Sequence, residues 1–247
     1  MYQYVFVWLA QVKANHNKQK HDQEDVQAER YCLCFRARSA QQSRPIQDLG
    51  VELSQRLLVL DVVTKTIKEL NTHSEVFDLM GLPATPWAKI NIHVGGTYGG
   101  DFEGTAKRWC ENFKRLDPNT QKRVTVENDD KASMWSTKHL FDYIHSEIGI
   151  PIVFDYHHYK FCTGGQTEQE ALELAMSTWP DDIIPVVHYS QSRAEEYNDP
   201  KIRPQAHSDS YWTAPNFYDH TLHVMCECKH KEQGVFALQE IMNKRAS

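Results

Sequence analysis

The chain has 247 residues, enough for one large domain or two small ones, and the usual size of a single (β/α)8 barrel. Its 40% apolar and 24% charged residues are ordinary for a globular protein, and no run approaches the roughly 18 apolar residues of a membrane span. A formal net charge of −6 weighs against a broad, non-specific nucleic-acid binder, although metal ions and a few local lysines can carry phosphate contact where carboxylates dominate the total.

In chain order, the apolar start Met1–Ala10 lacks a basic leader and ends in a polar run, so residues 2–8 read as a strand rather than a signal peptide. The polar stretch 15–29 reads as a helix or a loop. Residues 31–36 and LLVL at 57–60 read as two further strands. Val63, Ile67, Leu70, Phe77 and Met80 follow at helical spacing. From residue 88 onward, Val/Ile-rich runs alternate with amphipathic helices. The runs are AKINIHV (88–94), RVTVEN (123–128), IPIVFDY (150–156), IIPVVHY (183–189) and LHVMCEC (222–228). Nearly continuous apolar runs of this kind suit a parallel sheet covered by helices. The helices between them carry Ala106, Trp109, Phe113 and Leu116, then Leu140, Ile144 and Ile148, then a capping-box pair Thr167/Glu170 ahead of Leu174. A last helix carries Val235, Leu238 and Met242. Three early strands and five later ones make eight, and the expected fold is a single-domain TIM (β/α)8 barrel with divergent or incomplete N-terminal strands. The long polar and aromatic segment 191–220 is expected to be functional. The cysteines at 32, 34, 110, 162, 226 and 228 include no C-x2-C pair and read as reduced packing residues of an intracellular protein.

In parallel α/β folds the site lies at the carboxyl ends of the strands. Those ends deliver His93, Glu127, Asp155 with His158, His188 and Glu227, and His207 lies in the long segment. A lone histidine at a strand end is usually structural, and a lone carboxylate can pair with an arginine. Five consecutive ends supplying only imidazole and carboxylate groups point instead to a divalent-metal site. Two ions about 3.5–4 Å apart suit in-line displacement at a phosphodiester.

Other features leave two readings each. Gly95-Gly96 and Gly99-Gly100 after His93 either admit a phosphate or make a tight turn. Lys131 and Lys229 either meet phosphates or are solvated. Tyr98, Tyr156, Tyr159 and Tyr189 either stack on bases at the mouth or pack.

The strings HSEVFDLMGL (73–82), INIHVGGTYG (90–99), VTVENDDK (124–131), VFDYHH (153–158), VHYSQSR (187–193), HSDS (207–210) and CECKHKEQ (226–233) resemble, in this order, the UV-damage endonuclease family. The resemblance runs from about residue 62 to 244, and residues 1–60 match poorly. It implies a TIM barrel related to the type-IV apurinic endonucleases. It also implies two or three divalent metal ions, commonly Mn2+ with Zn2+ or Mg2+ as alternatives. The implied reaction is a nick on the 5′ side of UV photoproducts and related lesions in double-stranded DNA. By resemblance Glu127 is a carboxylate bridging two metals, Asp155 and His158 belong to different metals, and His93, His188, His207 and Glu227 are further ligands. Glu127, Asp155, His188 and Glu227 are the four assigned to the reacting centre, and Tyr98, Lys131, Tyr159 and Lys229 are candidate DNA contacts. A monomer in the cytoplasm or at the nucleoid is expected.

Two departures stand out. The family's earlier strand ending in H-P-x-Q-(F/Y) has no counterpart at 45–61, which reads PIQDLGVELSQRLLVLD without a histidine. Val186 stands where many members have a lysine before the HYS histidine. One metal position and the lesion-probing wedge are therefore not carried over. Two rival readings follow: a metal-dependent sugar isomerase or epimerase on a similar barrel, and a degenerate member that binds damage without cutting it.

Overall fold

The architecture was taken from a computed structural model, which describes residues 36–37 and 49–246, with side chains from 62 to 244. The strand expected at 2–8, the polar stretch 15–29 and residues 31–35 lie outside the described residues. Six described strands form one parallel sheet in sequence order: β1 (Arg36–Ala37), β2 (Ile90–Ile92), β3 (Val124–Glu127), β4 (Ile152–Asp155), β5 (Val186–Tyr189) and β6 (His223–Cys226). The five later strands fall inside the runs expected for them. The run at 57–60 is not a strand: it lies within α1 (Leu49–Leu79). It therefore cannot supply an eighth strand, and the described sheet has six. Its apolar residues belong to a long helical stretch, a distinction that a four-residue apolar run cannot make by itself.

The sheet curls, and its strands are staggered. Ile92 lies level with Val126, Glu127 with Val153, Asp155 with His188 and His188 with Met225. Two-residue steps of this kind move a strand along its neighbour without turning its side chains over. Alternation then sorts the strands into two faces. Ile90, Ile92, Val124, Val126, Ile152, Phe154, Val187, Tyr189, Val224 and Cys226 join the main core under the helices. Val153, Val186 and Met225 form a smaller cluster with Trp179 on the other face, two residues before Asp155, His188 and Glu227.

The covering helices behave largely as their spacing predicts. α1 buries Leu70 and Phe77, but Met80 lies beyond its end and is half exposed. After α2 (Phe102–Phe113) and α3 (Pro118–Arg123), Leu140 and Ile144 are fully buried along α4 (Thr137–Leu140) and the π-helical turn Phe141–His145 that continues it. The chain then passes through α5 (Ser146–Ile148) to β4. A π-turn is wider than an α-turn, so it keeps residues four apart on one face. The short α6 (Tyr156–Tyr159) follows β4 directly. α7 (Glu168–Met176) starts with the expected capping box: Thr167 N donates to Glu170 Oε2 (2.8 Å), and Glu170 N donates to Thr167 Oγ1 (3.3 Å). α8 (Arg193–Tyr197) lies in the long segment after β5, and α9 (Glu232–Ala246) buries Val235 and Leu238. A fully buried arginine ties α1 to the start of β3. Arg123 donates to Pro83 O (2.6 Å) and Leu82 O (2.9 Å), pairs with Asp78 and lies over the Phe77 ring. No described helix is long and apolar enough to cross a membrane.

Candidate metal centre

Each strand from β2 to β6 carries a polar group to its carboxyl end, on the face opposite the main core. Glu127 and Asp155 close β3 and β4, His188 lies inside β5, and His93 and Glu227 follow β2 and β6 by one residue. Glu127, Asp155 and His188 are buried, while His93, His207 and Glu227 are partly open.

The next turn of chain explains the D-x-x-H spacing. Asp155 is the N-cap of α6, and its Oδ1 accepts from His157 N (2.7 Å) and His158 N (2.8 Å). Capping fixes the carboxylate and starts the helix that swings His158 back over the sheet. Oδ2 of Asp155 is buried without a hydrogen-bond partner and lies 3.7 Å from His158 Nδ1. Burial pushes the Asp155 carboxyl above the usual range, against the pull of His158.

Glu127 is the hub. Its Oε1 lies 3.1 Å from His158 Nδ1, and its Oε2 lies 3.3 Å from His188 Nδ1 and 3.8 Å from His93 Nε2. Glu227 meets His188 through Oε1 (3.2 Å) and His207 through Oε2 (3.7 Å). Two groups that could hold a metal ion result, His93/Glu127/His158 and Glu127/Asp155/His188/Glu227, each with candidate ligand atoms within 4.8 Å of one another and sharing Glu127. His207 stands outside both groups. It is carried to the site by the antiparallel bridge between Ser192 and His207, and its ring packs edge-on to His158 at 5.9 Å and His157 at 5.5 Å.

Two of the site histidines have Nδ1 hydrogen-bonded to a backbone carbonyl, His158 to Asn128 O (2.9 Å) and His207 to Glu227 O (2.8 Å), while His93 Nδ1 lies 3.3 Å from Asp129 Oδ1. A carbonyl can only accept, so in His158 and His207 the proton sits on Nδ1 and Nε2 keeps its lone pair for a metal. These donors fit a divalent ion. A fully buried carboxylate oxygen without a hydrogen bond is costly unless a cation compensates it, and the nitrogen and oxygen set suits manganese or zinc.

Four contributing residues carried no signal at the strand ends. Asn91 donates through Nδ2 to Glu127 Oε2 (2.6 Å), and Thr125 Oγ1 donates to Asn91 Oδ1 (2.8 Å). Asp129 faces His93, and burial raises its carboxyl above the usual range while His93 opposes the shift. His157 is fully buried, and burial followed by the nearby His207 and His158 pulls it down to about 4. For Asn91 the readable sign was an amide between two isoleucines in an otherwise apolar strand.

Around the site, Tyr98 is exposed at a positive φ of 43° in the glycine loop, with Arg108 over its ring at 5.6 Å. Lys131 and Lys229 are exposed. Tyr159 is half-buried against Phe154, and its hydroxyl donates to Gln166 O (2.7 Å). Tyr156 and Tyr189 are buried, their hydroxyls donating to Asn216 O and Thr213 O.

Residues 58–246 match the family model of the UV-endonuclease UvdE. A UV DNA damage endonuclease of Bacillus cereus (strain G9842) is 33% identical over 186 residues, 72% of this chain and 55% of that protein. One of Bacillus anthracis is 31% identical over 194 residues, 74% of this chain and 57% of that protein. The crystal structure of SacUVDE aligns with a TM-score of 0.63 at 30% identity, covering 75% of this chain and 60% of that one. The chain thus spans between half and two thirds of the length of these relatives. With a curled parallel sheet, a shared-carboxylate ligand cluster and a family match over three quarters of its residues, the chain belongs to the UV-endonuclease UvdE family.

Proposed function

We propose that this chain is a metal-dependent DNA repair endonuclease that cuts the phosphodiester on the 5′ side of UV photoproducts and related lesions. The observation that carries this reading is a pair of ligand groups sharing the buried Glu127 at the strand ends of a family member. His93, Glu127 and His158 would hold one divalent ion, and Glu127, Asp155, His188 and Glu227 a second. His207, beside Glu227, is the ligand available to a third. When bound, such ions supply Lewis-acid polarisation of the phosphodiester and a water of lowered pKa. Manganese is the proposed metal, with zinc and magnesium as the alternatives to compare.

The chain's own contribution is positioning. Glu127 and Asp155 are fixed by hydrogen bonds before any substrate arrives, so little reorganisation is left to the reaction. Tyr98, Lys131 and Lys229 offer an aromatic face and two cations to damaged double-stranded DNA, with Tyr159 giving only a partly covered ring edge. The lesion itself would favour binding, because a poorly stacked step is cheaper to bend and open. The six described strands are proposed to be the greater part of one barrel-type domain. A monomer suffices, since every ligand comes from one chain, and the buried free thiols of Cys110, Cys162, Cys226 and Cys228 suit an intracellular, reducing setting. Family membership favours phosphodiester chemistry over the sugar-isomerase reading.

The test is nicking of UV-irradiated supercoiled plasmid with Mn2+. Conversion to the open circle above the unirradiated control, abolished by EDTA and by Glu127→Gln, is expected. Equal nicking of irradiated and unirradiated plasmid, or a Glu127→Gln protein as active as wild type, would overturn the reading. Metal analysis of the purified protein separates an active centre from a degenerate one, which would hold less than about one ion per chain.

A further inference from the structure

Two residues before each strand-end ligand, the inner face of the sheet carries Asn91, Thr125, Val153, Val186 and Met225. These side chains form the floor beneath the ligands. Under Asp155, His188 and Glu227 the floor is apolar, and Val153, Val186 and Met225 pack there with Trp179. Under His93 and Glu127 it is polar, although Asn91 and Thr125 are as completely buried as the valines. A buried amide and hydroxyl are expensive unless both are satisfied, and an apolar pair at those positions would serve packing as well.

Asn91 and Thr125 lie directly opposite one another in the β2–β3 register. Thr125 Oγ1 donates to Asn91 Oδ1 (2.8 Å), which turns the amide so that Nδ2 donates to Glu127 Oε2 (2.6 Å). The reverse orientation would set the amide oxygen against an acceptor-only carboxylate and lose the bond to Glu127, although the Thr125 hydroxyl could still accept from the amide nitrogen. Glu127 is the residue shared by the two candidate ligand groups, and its oxygens face different histidines, Oε1 towards His158 at 3.1 Å and Oε2 towards His188 at 3.3 Å, with His93 farther from Oε2 at 3.8 Å. A carboxylate can bridge two ions only if its plane is held between them. Released, it can turn both oxygens to one side and serve a single group.

We infer that Asn91, oriented by Thr125, is a positioning residue that holds Glu127 in its bridging orientation, and that this two-residue chain sets the affinity of the paired metal positions. The inference rests on the proposed metal centre and deepens it. Asn91 touches no substrate: it acts through Glu127.

The experiment measures Mn2+ binding to the EDTA-stripped, re-purified full chain by calorimetry, together with the rise in melting temperature that Mn2+ produces. Wild type, Asn91→Leu, Thr125→Val and the double variant are compared. Asn91→Leu is expected to weaken Mn2+ binding about 10–100-fold, the usual effect of losing an outer-shell partner. Thr125→Val should weaken it less. The double variant should be no weaker than Asn91→Leu, because both act through one bond to Glu127. A purely structural role would lower the melting temperature equally with and without Mn2+, leaving the Mn2+-induced rise unchanged. That result, or independent and additive losses in the double variant, would overturn the inference while leaving the metal centre standing. Failure of the wild-type protein to bind Mn2+ would overturn both.

Discussion

Single residues set the chemistry through what they touch. Glu127 faces three histidines, so Glu127→Gln removes the shared negative charge from both ligand groups at once. Mn2+-dependent nicking should fall by more than about 100-fold, beyond the upper end of the cost of an outer-shell change. A plasmid assay at saturating Mn2+ reads this directly. His157 makes a separate prediction for the metal-free protein. Burial, then His207 and His158, lowers it to about 4 from an ordinary value of 6.5, so between those pH values the unfolded chain holds a proton that the folded one lacks. Its stabilising neutral form is therefore fully effective above pH 6.5 and is lost as pH falls towards 4, at up to roughly 1.4 kcal/mol per pH unit. The raised carboxyls of Asp129 and Asp155 act in the opposite sense, their contribution falling as pH rises above the ordinary carboxyl range. The difference between wild type and His157→Gln isolates the histidine. Urea midpoints in EDTA should show wild type losing about 2–3 kcal/mol relative to the variant between pH 6.5 and 4. Parallel curves for the two proteins would refute the assignment.

At the scale of elements, caps and ties hold the helices in place behind the strands. Thr167 and Glu170 satisfy each other's backbone amides at the start of α7, which covers β4. Thr167→Ala should cost about 1 kcal/mol in urea denaturation without changing Mn2+ affinity, since the Thr167 side chain bonds to Glu170 and to none of the candidate ligands. Arg123 does more, binding two carbonyls beyond α1 and the carboxylate of Asp78. Arg123→Met keeps much of the packing against Phe77 but strips the carbonyls of Leu82 and Pro83 of a donor. A loss of about 3 kcal/mol is expected from chemical denaturation. The ordering of segment 191–220 also belongs to this scale. Gln191 accepts from Trp212 N (2.9 Å) and donates to Thr213 Oγ1 (2.7 Å), Glu196 accepts from Asp209 N (2.6 Å), and Ser208 N donates back to Gln191 O (2.8 Å). These bonds are what make a 30-residue connection a fixed mount for His207 rather than a slack loop.

Across the whole molecule, the ligands converge from five strands and a long connection, so ion binding should couple to global stability. Bringing Glu127, Asp155 and Glu227 together with buried histidines costs free energy that a bound divalent ion would offset, and the unfolded chain cannot assemble the cluster. Mn2+ at about 100 times its dissociation constant should add roughly 2.7 kcal/mol, seen as a melting temperature about 5–10 °C above that in EDTA. A melting temperature indifferent to Mn2+, Zn2+ and Mg2+ alike would mean that the cluster binds none of them.

Local sequence determined the parts of this protein that depend on periodicity and on chain direction. Five apolar runs gave five strands, Thr167 and Glu170 gave a capped helix, and parallel connectivity sent His93, Glu127, Asp155, His188 and Glu227 to one end of the sheet. Short apolar runs were ambiguous, and LLVL at 57–60 lies in a helix because its neighbours continue the helical pattern. What only the tertiary structure decided is which groups meet. The stagger of the strands sets Glu127 between two groups of ligands, Asp155 spends one oxygen on a cap and keeps the other, and Asn91 reaches Glu127 across 36 residues of chain. Contacts of that span depend on register and sheet curvature, which no local window of sequence encodes.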